Sequence, residues 1–272
     1  MLFFIIPFRD RSATTDWPGT CRRLERTLAS ACGQIHDAYR VLVVCQSRPE
    51  GIAIPDRCEF LEVSFPPPRW GTADDAERRL FLAYSDRGRK LLRGLERARA
   101  FPGSYAMYLD DDDLVSNRLA GFVAKRAGEN GWYFDRGYRM DDRHPHVVFW
   151  RRRFNEECGS SHVLRSDLAP FPARMDDALD MSDDALRRNV WHANIRSHFA
   201  RCGTPLDPLP FPGAIYCFHG LNFYATSSYR PEPPWRKMAR LAFKTRWITP
   251  ALRREFGIRS IPFGSAARGQ MP

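Results

Sequence analysis

The chain has 272 residues, with 42 Lys and Arg against 32 Asp and Glu and a formal net charge of +10. Hydrophobic residues make up 43% and charged residues 27%, which excludes collagenous, coiled-coil and disordered chains and leaves room for a substantial core. The charge is local: residues 230–272 hold ten Lys and Arg against Glu232 and Glu255, or +8, so residues 1–229 carry +2. No basic groove is expected on the body, and nucleic acid is not an expected partner.

The first element is the apolar run 2–8, interrupted by Pro7 and ended by Arg9, Asp10 and Arg11. It has the pattern of a strand buried on both faces. It is far too short to span a bilayer and has no basic leader or small-residue cleavage site, so neither a membrane span nor a signal peptide is expected. A helix is predicted over 20–32, then buried strands over 41–45 (VLVVC) and 60–65 (FLEVSF), the latter closed by three prolines. From Asp86 to Ala100, Leu91, Leu92, Leu95 and Ala98 recur at helical spacing. A further strand over 105–109 runs directly into Asp110, Asp111, Asp112 and Asp113. Strands alternating with helices predict an α/β fold with a largely parallel sheet, because parallel neighbours need crossover connections.

The second half predicts strands over 132–139 and 146–150, with a hairpin around Asp141 and Asp142. A helix follows over 182–201 with Asp183 and Asp184 in its first turn. A Pro-rich loop leads to a short strand over 214–218, before His219 and Gly220. The seven cysteines are widely spaced, with no C-x-x-C pair. They suggest neither a disulfide framework nor a zinc site, and a reducing cytoplasm is the expected compartment.

Ligands of open parallel sheets bind beyond the carboxyl ends of the strands. Arg9, Gln46 and the Asp110–Asp113 cluster all fall at such ends. Four adjacent carboxylates repel one another, which raises some pKa values or calls for a cation such as an oxygen-ligated divalent metal. The alternative is a solvated acidic turn capping the next helix through Asp113 or Ser116.

The segment YAMYLDDDDLVS, with the FIIPFR opening, the DRGRK row, GWYFDRGY and the terminal FHGLN, resembles the glycosyltransferases of the A-type fold, family-2-like branch, with their D-x-D motif. The resemblance covers about residues 1–226. It implies one Rossmann-like catalytic domain over 1–228, a mostly parallel sheet flanked by helices with a small antiparallel addition, followed by a basic tail over 229–272. It further implies transfer of a hexosyl group from a nucleotide diphosphate sugar, a UDP-sugar in the first instance, to a hydroxyl of a lipid-linked or cell-envelope glycan, with inversion.

On that resemblance Asp112 binds a divalent metal, Asp110 binds the donor ribose or the metal, and Asp111 holds the variable position beside the donor. His219 adds a metal ligand or a diphosphate contact; mixed carboxylate and imidazole ligation favours Mn2+ over Mg2+. Pro7 and Arg9 lie where the family's chain passes the nucleobase and ribose, and Gln46 faces the same crevice. Arg87, Gly88 and Lys90 are read as a helix opening, where backbone N–H groups and a cation suit a diphosphate. The catalytic base falls to Asp183 or Asp184, with Asp176, Asp177 and His192 as further candidates.

A metal-dependent nucleotidyltransferase would use a similar acidic cluster, although no Gly-rich loop follows the first strand. A nucleotide-sugar-binding relative without turnover is the third class. In the tail, residues 235–256 combine Trp235, Met238, Leu241, Trp247 and Leu252 with clustered Arg and Lys. An interfacial helix on anionic lipid, broken at Pro250, and a helix packed on the domain both fit this composition. The first would make the protein peripheral on the inner face of the cytoplasmic membrane.

Overall fold

The structure, a computed structural model, describes residues 1–68, 76–141, 144–171, 192–218 and 244–258. Two sheets organise them. The larger contains β1 (Leu2–Pro7), β2 (Tyr39–Cys45), β3 (Cys58–Glu62), β4 (Tyr105–Tyr108), β6 (Gly131–Tyr133), β9 (His162–Arg165) and β10 (Asp207–Pro208), in the order β10-β6-β9-β4-β1-β2-β3. Strands β3, β2, β1 and β4 run parallel, and β9 is antiparallel to both β4 and β6. The fold is therefore α/β with a mostly parallel sheet, as its alternating strands and helices predicted.

Strand β1 explains the layering. Leu2, Phe4 and Ile6 pack with Cys21, Leu24, Leu28 and Ala31 of α1 (Trp17–Ala31), whereas Phe3 and Ile5 pack with Leu91, Leu92, Leu95 and Ala98 of α2 (Ala76–Arg99). Period-two alternation in the strand meets period-3.6 stripes on two helices, which gives helix, sheet and helix layers. Asp16 caps α1 by accepting from Gly19 N–H at 2.9 Å, and Pro18 occupies its first turn. Gly94 permits the approach of α2 to β1, since a Cβ there would lie 2.2 Å from Ile5 Cγ2.

The second sheet has the order β12-β8-β7-β11-β5, from β5 (Leu114–Val115), β7 (Gly137–Asp141), β8 (His146–Trp150), β11 (Ala214–Phe218) and β12 (Thr245–Trp247). Strands β7 and β8 form the expected antiparallel hairpin. Short helices α3 (Leu119–Ala124) and α4 (Phe154–Glu157), helix α5 (His192–Arg201) and α6 (Pro250–Phe256) complete the described elements. Phe256 and Ile258 close a core with Leu114, Met140, Val147, Ile215 and Cys217.

Three expectations change. The strand expected over 132–139 is two strands in different sheets, because the chain turns at 134–136 to leave one for the other. Helix α2 begins at Ala76, so Arg87, Gly88 and Lys90 lie in its interior rather than at its start. Their backbone N–H groups are therefore committed to the helix ladder. In the tail, Thr245–Trp247 form a strand paired to β8 where a helix was expected, while residues 235–243 lie outside the described residues; the β-branched and aromatic residues Thr245 and Trp247 suit an edge strand.

Candidate functional site

Strands β2 and β4 flank β1 on opposite sides, so the strand order reverses beside β1 and opens a crevice at the carboxyl ends. The acidic run enters it from β4. Arg9 N–H, just past β1, donates to Asp111 Oδ2 at 3.2 Å across that crevice. Arg87 Nε donates to Asp110 Oδ1 at 2.7 Å, joining α2 to the loop after β4.

The four carboxylates sit in different surroundings. Asp111 and Asp112 are 8% and 6% exposed, and Asp113 is fully buried. Asp113 Oδ2 accepts from Ser160 Oγ at 2.6 Å and its Oδ1 from Cys217 N–H at 2.9 Å, with Cys158 Sγ at 3.5 Å. Ser160 Oγ also accepts from Asp110 N–H at 2.9 Å. Asp113 thus ties the loop after β4 to β11 and to the loop before β9. Burial pushes its pKa well above the ordinary carboxylate range, with Asp112 and Asp110 adding repulsion. Burial likewise raises Asp111, where the nearby Arg9 charge works the other way and Asp112 adds to the rise.

Asp110 keeps one oxygen beside Gly159: a Cβ on that glycine would meet Asp110 Oδ2 at 2.4 Å and Arg87 Nη2 at 2.9 Å. Arg26 Nη2 donates to the Asp112 carbonyl at 3.2 Å. The solvated helix-capping turn is not what forms, because Asp113 is buried and bonded to other elements.

His192 opens the described part of α5, its Nε2 3.1 Å from the Glu156 carbonyl. Burial lowers its pKa, and the Arg87 charge lowers it further, so the imidazole is neutral at physiological pH. Gln46 Nε2 donates to Asp86 Oδ1 at 2.8 Å, while its Oε1 is buried without a partner. Pro7 is buried at the end of β1.

Lys90 is a correction to the sequence reading. It is 0% exposed, and its ammonium donates to the Phe8 carbonyl at 2.8 Å and to Asp86 Oδ2 at 2.6 Å. It braces α2 against the end of β1 and presents no charge to the crevice. Gly88 is buried in the same helix.

Asp176, Asp177, Asp183, Asp184 and His219 lie outside the described residues. Among the described residues, no group of three or more His, Cys, Asp and Glu is placed to hold a metal ion. Sequence reasoning missed Ser160, Gly159 and Cys158, which carry no motif; Asp86 went unassigned although its i,i+4 spacing to Lys90 was visible.

No protein-family model and no curated protein matches the chain. Similar solved structures are of S. aureus TarS. Its residues 1–349 in complex with UDP are 11% identical, with a TM-score of 0.44, over 82% of this chain and 62% of that chain. The complex with UDP-GlcNAc is 12% identical, with a TM-score of 0.42, over 89% and 67%. The chain thus spans about three fifths of the length of the first of these.

Proposed function

We propose that the chain is a glycosyltransferase of the hexosyltransferase class that uses a nucleotide diphosphate sugar, a UDP-sugar first among them. The observation that carries this reading is the placement of Asp110, Asp111 and Asp112 at the strand-order reversal, facing Arg9 and anchored by Arg87. Such a crevice suits a nucleotide, and its cations suit a diphosphate. The acceptor is a hydroxyl of a lipid-linked or envelope glycan, and transfer proceeds with inversion.

Among the described residues only Asp110 and Asp112 are offered to a divalent metal, too few to hold one by themselves, so a further ligand is required. Burial first, with repulsion from neighbouring carboxylates adding to it, raises the pKa of Asp111 and Asp113, and a bound cation would relieve that repulsion. Asp112 and Asp110 would hold it with His219, and Mn2+ suits this mixed set better than Mg2+. When bound, the metal supplies Lewis-acid stabilisation of the departing diphosphate.

The remaining chemistry belongs to the chain. Arg87 fixes the Asp110 carboxylate, so that its outer oxygen is aimed rather than free to rotate. Gln46 offers a buried amide oxygen to a donor N–H at the end of β2. Neutral His192 is suited to take a proton from the attacking hydroxyl, with Asp183 or Asp184 as the carboxylate alternative.

Calorimetric titration with UDP, GDP and dTDP, with and without Mn2+, tests the reading on the wild type and on Asp112→Ala. Metal-dependent UDP binding, lost in the variant, is expected. A folded wild-type protein that binds none of the three would refute it and return the cluster to a structural or other phosphate role.

A further inference from the structure

The exposed end of the second sheet carries a surface that the donor crevice does not use. Strand β12 is the edge strand, paired to β8 through Thr245↔Val148, Arg246↔Val147 and Trp247↔His146. Trp247 is 72% exposed, and Arg246 beside it is exposed. Lys244 Nζ stands 5.7 Å from the ring centroid of Trp150, the last residue of β8, and exposed Arg151 and Arg152 follow directly. No carboxylate among the described residues pairs with Lys244, Arg151 or Arg152. At about 3.3 Å per strand residue, the register places Lys244 about 7–10 Å along the sheet from Arg151 and Arg152, and Arg246 about 13–17 Å from them.

Charged residues on an edge strand also guard it against pairing with another chain. That role explains Arg246 but not Trp247, because a large exposed aromatic on an edge strand adds to the hazard the charge would suppress. Tryptophan with flanking cations is instead the pairing that partitions into the headgroup layer of a bilayer. The sign of the charge selects an anionic surface. No helix among the described residues is long and apolar enough to cross a membrane, so the contact would be peripheral.

We propose that the β8–β12 edge is a docking surface for an anionic lipid bilayer, with Trp247 inserted at headgroup depth and Lys244, Arg246, Arg151 and Arg152 above the phosphates. The proposal rests on the acceptor reading for its purpose only; the surface itself is argued from these residues. It uses the described end of the segment 235–256 and adds two arginines from a distant part of the sequence.

Sedimentation of the full chain with phosphatidylglycerol–phosphatidylcholine vesicles, against pure phosphatidylcholine vesicles, tests it in the absence of nucleotide, so the outcome does not depend on the donor reading. Binding to the anionic vesicles alone, weakened by salt, is expected. Each cation near such a surface changes partitioning by about fivefold, so Lys244→Ser/Arg246→Ser and Arg151→Ser/Arg152→Ser should each weaken binding by about 25-fold. Trp247→Phe should remove most of the quenching of protein fluorescence by brominated acyl chains. Thermal midpoints of the variants, equal to wild type, establish that they fold. Absence of vesicle binding, binding unaffected by these substitutions, or polyphosphate binding without any bilayer binding would each overturn the proposal, the last in favour of a soluble acidic polymer.

Discussion

Lys90→Met replaces a fully buried ammonium with a side chain of similar length and no charge. In the wild type that ammonium serves Asp86 at 2.6 Å and the Phe8 carbonyl at 2.8 Å. Asp86 is itself only 7% exposed, so the variant leaves a buried carboxylate facing a carbonyl that has lost a donor. Breaking one side of a buried ion pair costs roughly 3–5 kcal/mol. The Gln46 amide still donates to Asp86 at 2.8 Å, which places the expectation near the lower end, about 3 kcal/mol. At roughly 2–4 °C per kcal/mol for a chain of this size, the melting midpoint should fall by about 6–12 °C. The double variant Asp86→Asn/Lys90→Met removes the stranded charge and should recover most of that loss. Denaturant unfolding of the wild type, single and double variants measures both effects. A single-variant loss below about 1 kcal/mol, or UDP binding abolished while the midpoint stays at the wild-type value, would refute the bracing role and restore Lys90 to the diphosphate.

Gly159→Ala places a methyl group 2.4 Å from Asp110 Oδ2 and 2.9 Å from Arg87 Nη2, so the carboxylate must move. We expect weaker UDP binding with far-UV circular dichroism unchanged, and wild-type affinity would show that the Asp110 orientation is immaterial. His162, 1% exposed on β9, has a pKa lowered to about 3 by burial, with the His192 and Arg196 charges adding to the fall. A depressed folded-state pKa gives stability that is present above the unfolded value of about 6.5 and lost as pH falls towards 3. The loss has an upper bound of about 5 kcal/mol at about 1.4 kcal/mol per unit. His162→Gln should flatten the acid limb of the stability profile between those pH values, and an unchanged limb would place the acid sensitivity elsewhere.

The parallel half of the fold was legible because its strands are uninterrupted apolar runs: 2–8 and 41–45 have no other economical reading than strands covered on both faces. The start of α2 was not. The DRGRK row reads as a helix opening, yet Asp86 uses its carboxylate on Lys90 and Gln46, and the helix passes through it from Ala76. A lysine is so rarely buried completely that, at what read as a helix opening, Lys90 suggested a diphosphate ligand. The split of the segment after Gly131 into two sheets also escaped the pattern, because a chain crossing between sheets keeps its alternation on either side of the turn. Ser160 and Gly159 had no local signal at all: they matter through contacts some fifty residues away in the chain, and only packing brings those together.

The four aspartates are alike in sequence but divided in structure, and the division bears on how the site is built. Asp113, which sequence reasoning offered as a helix cap, is a fastener between the loop after β4, the loop before β9 and strand β11. The same Ser160 hydroxyl that donates to Asp113 accepts from Asp110 N–H, so one side chain sets both the anchor and the first residue of the crevice. Asp110 is then clamped from α2 by Arg87, and Asp111 receives the backbone of β1 through Arg9. Each of these three residues is thus held by an element other than its own strand. A run whose members merely shared solvent would relieve its repulsion by splaying apart; these carboxylates are instead fixed close together and out of water, and burial first, with neighbouring carboxylates adding to it, raises the pKa of Asp111 and Asp113. Structure held against local repulsion is the expected signature of a preformed charge site, which is why the cluster, rather than any single residue in it, carries the functional reading.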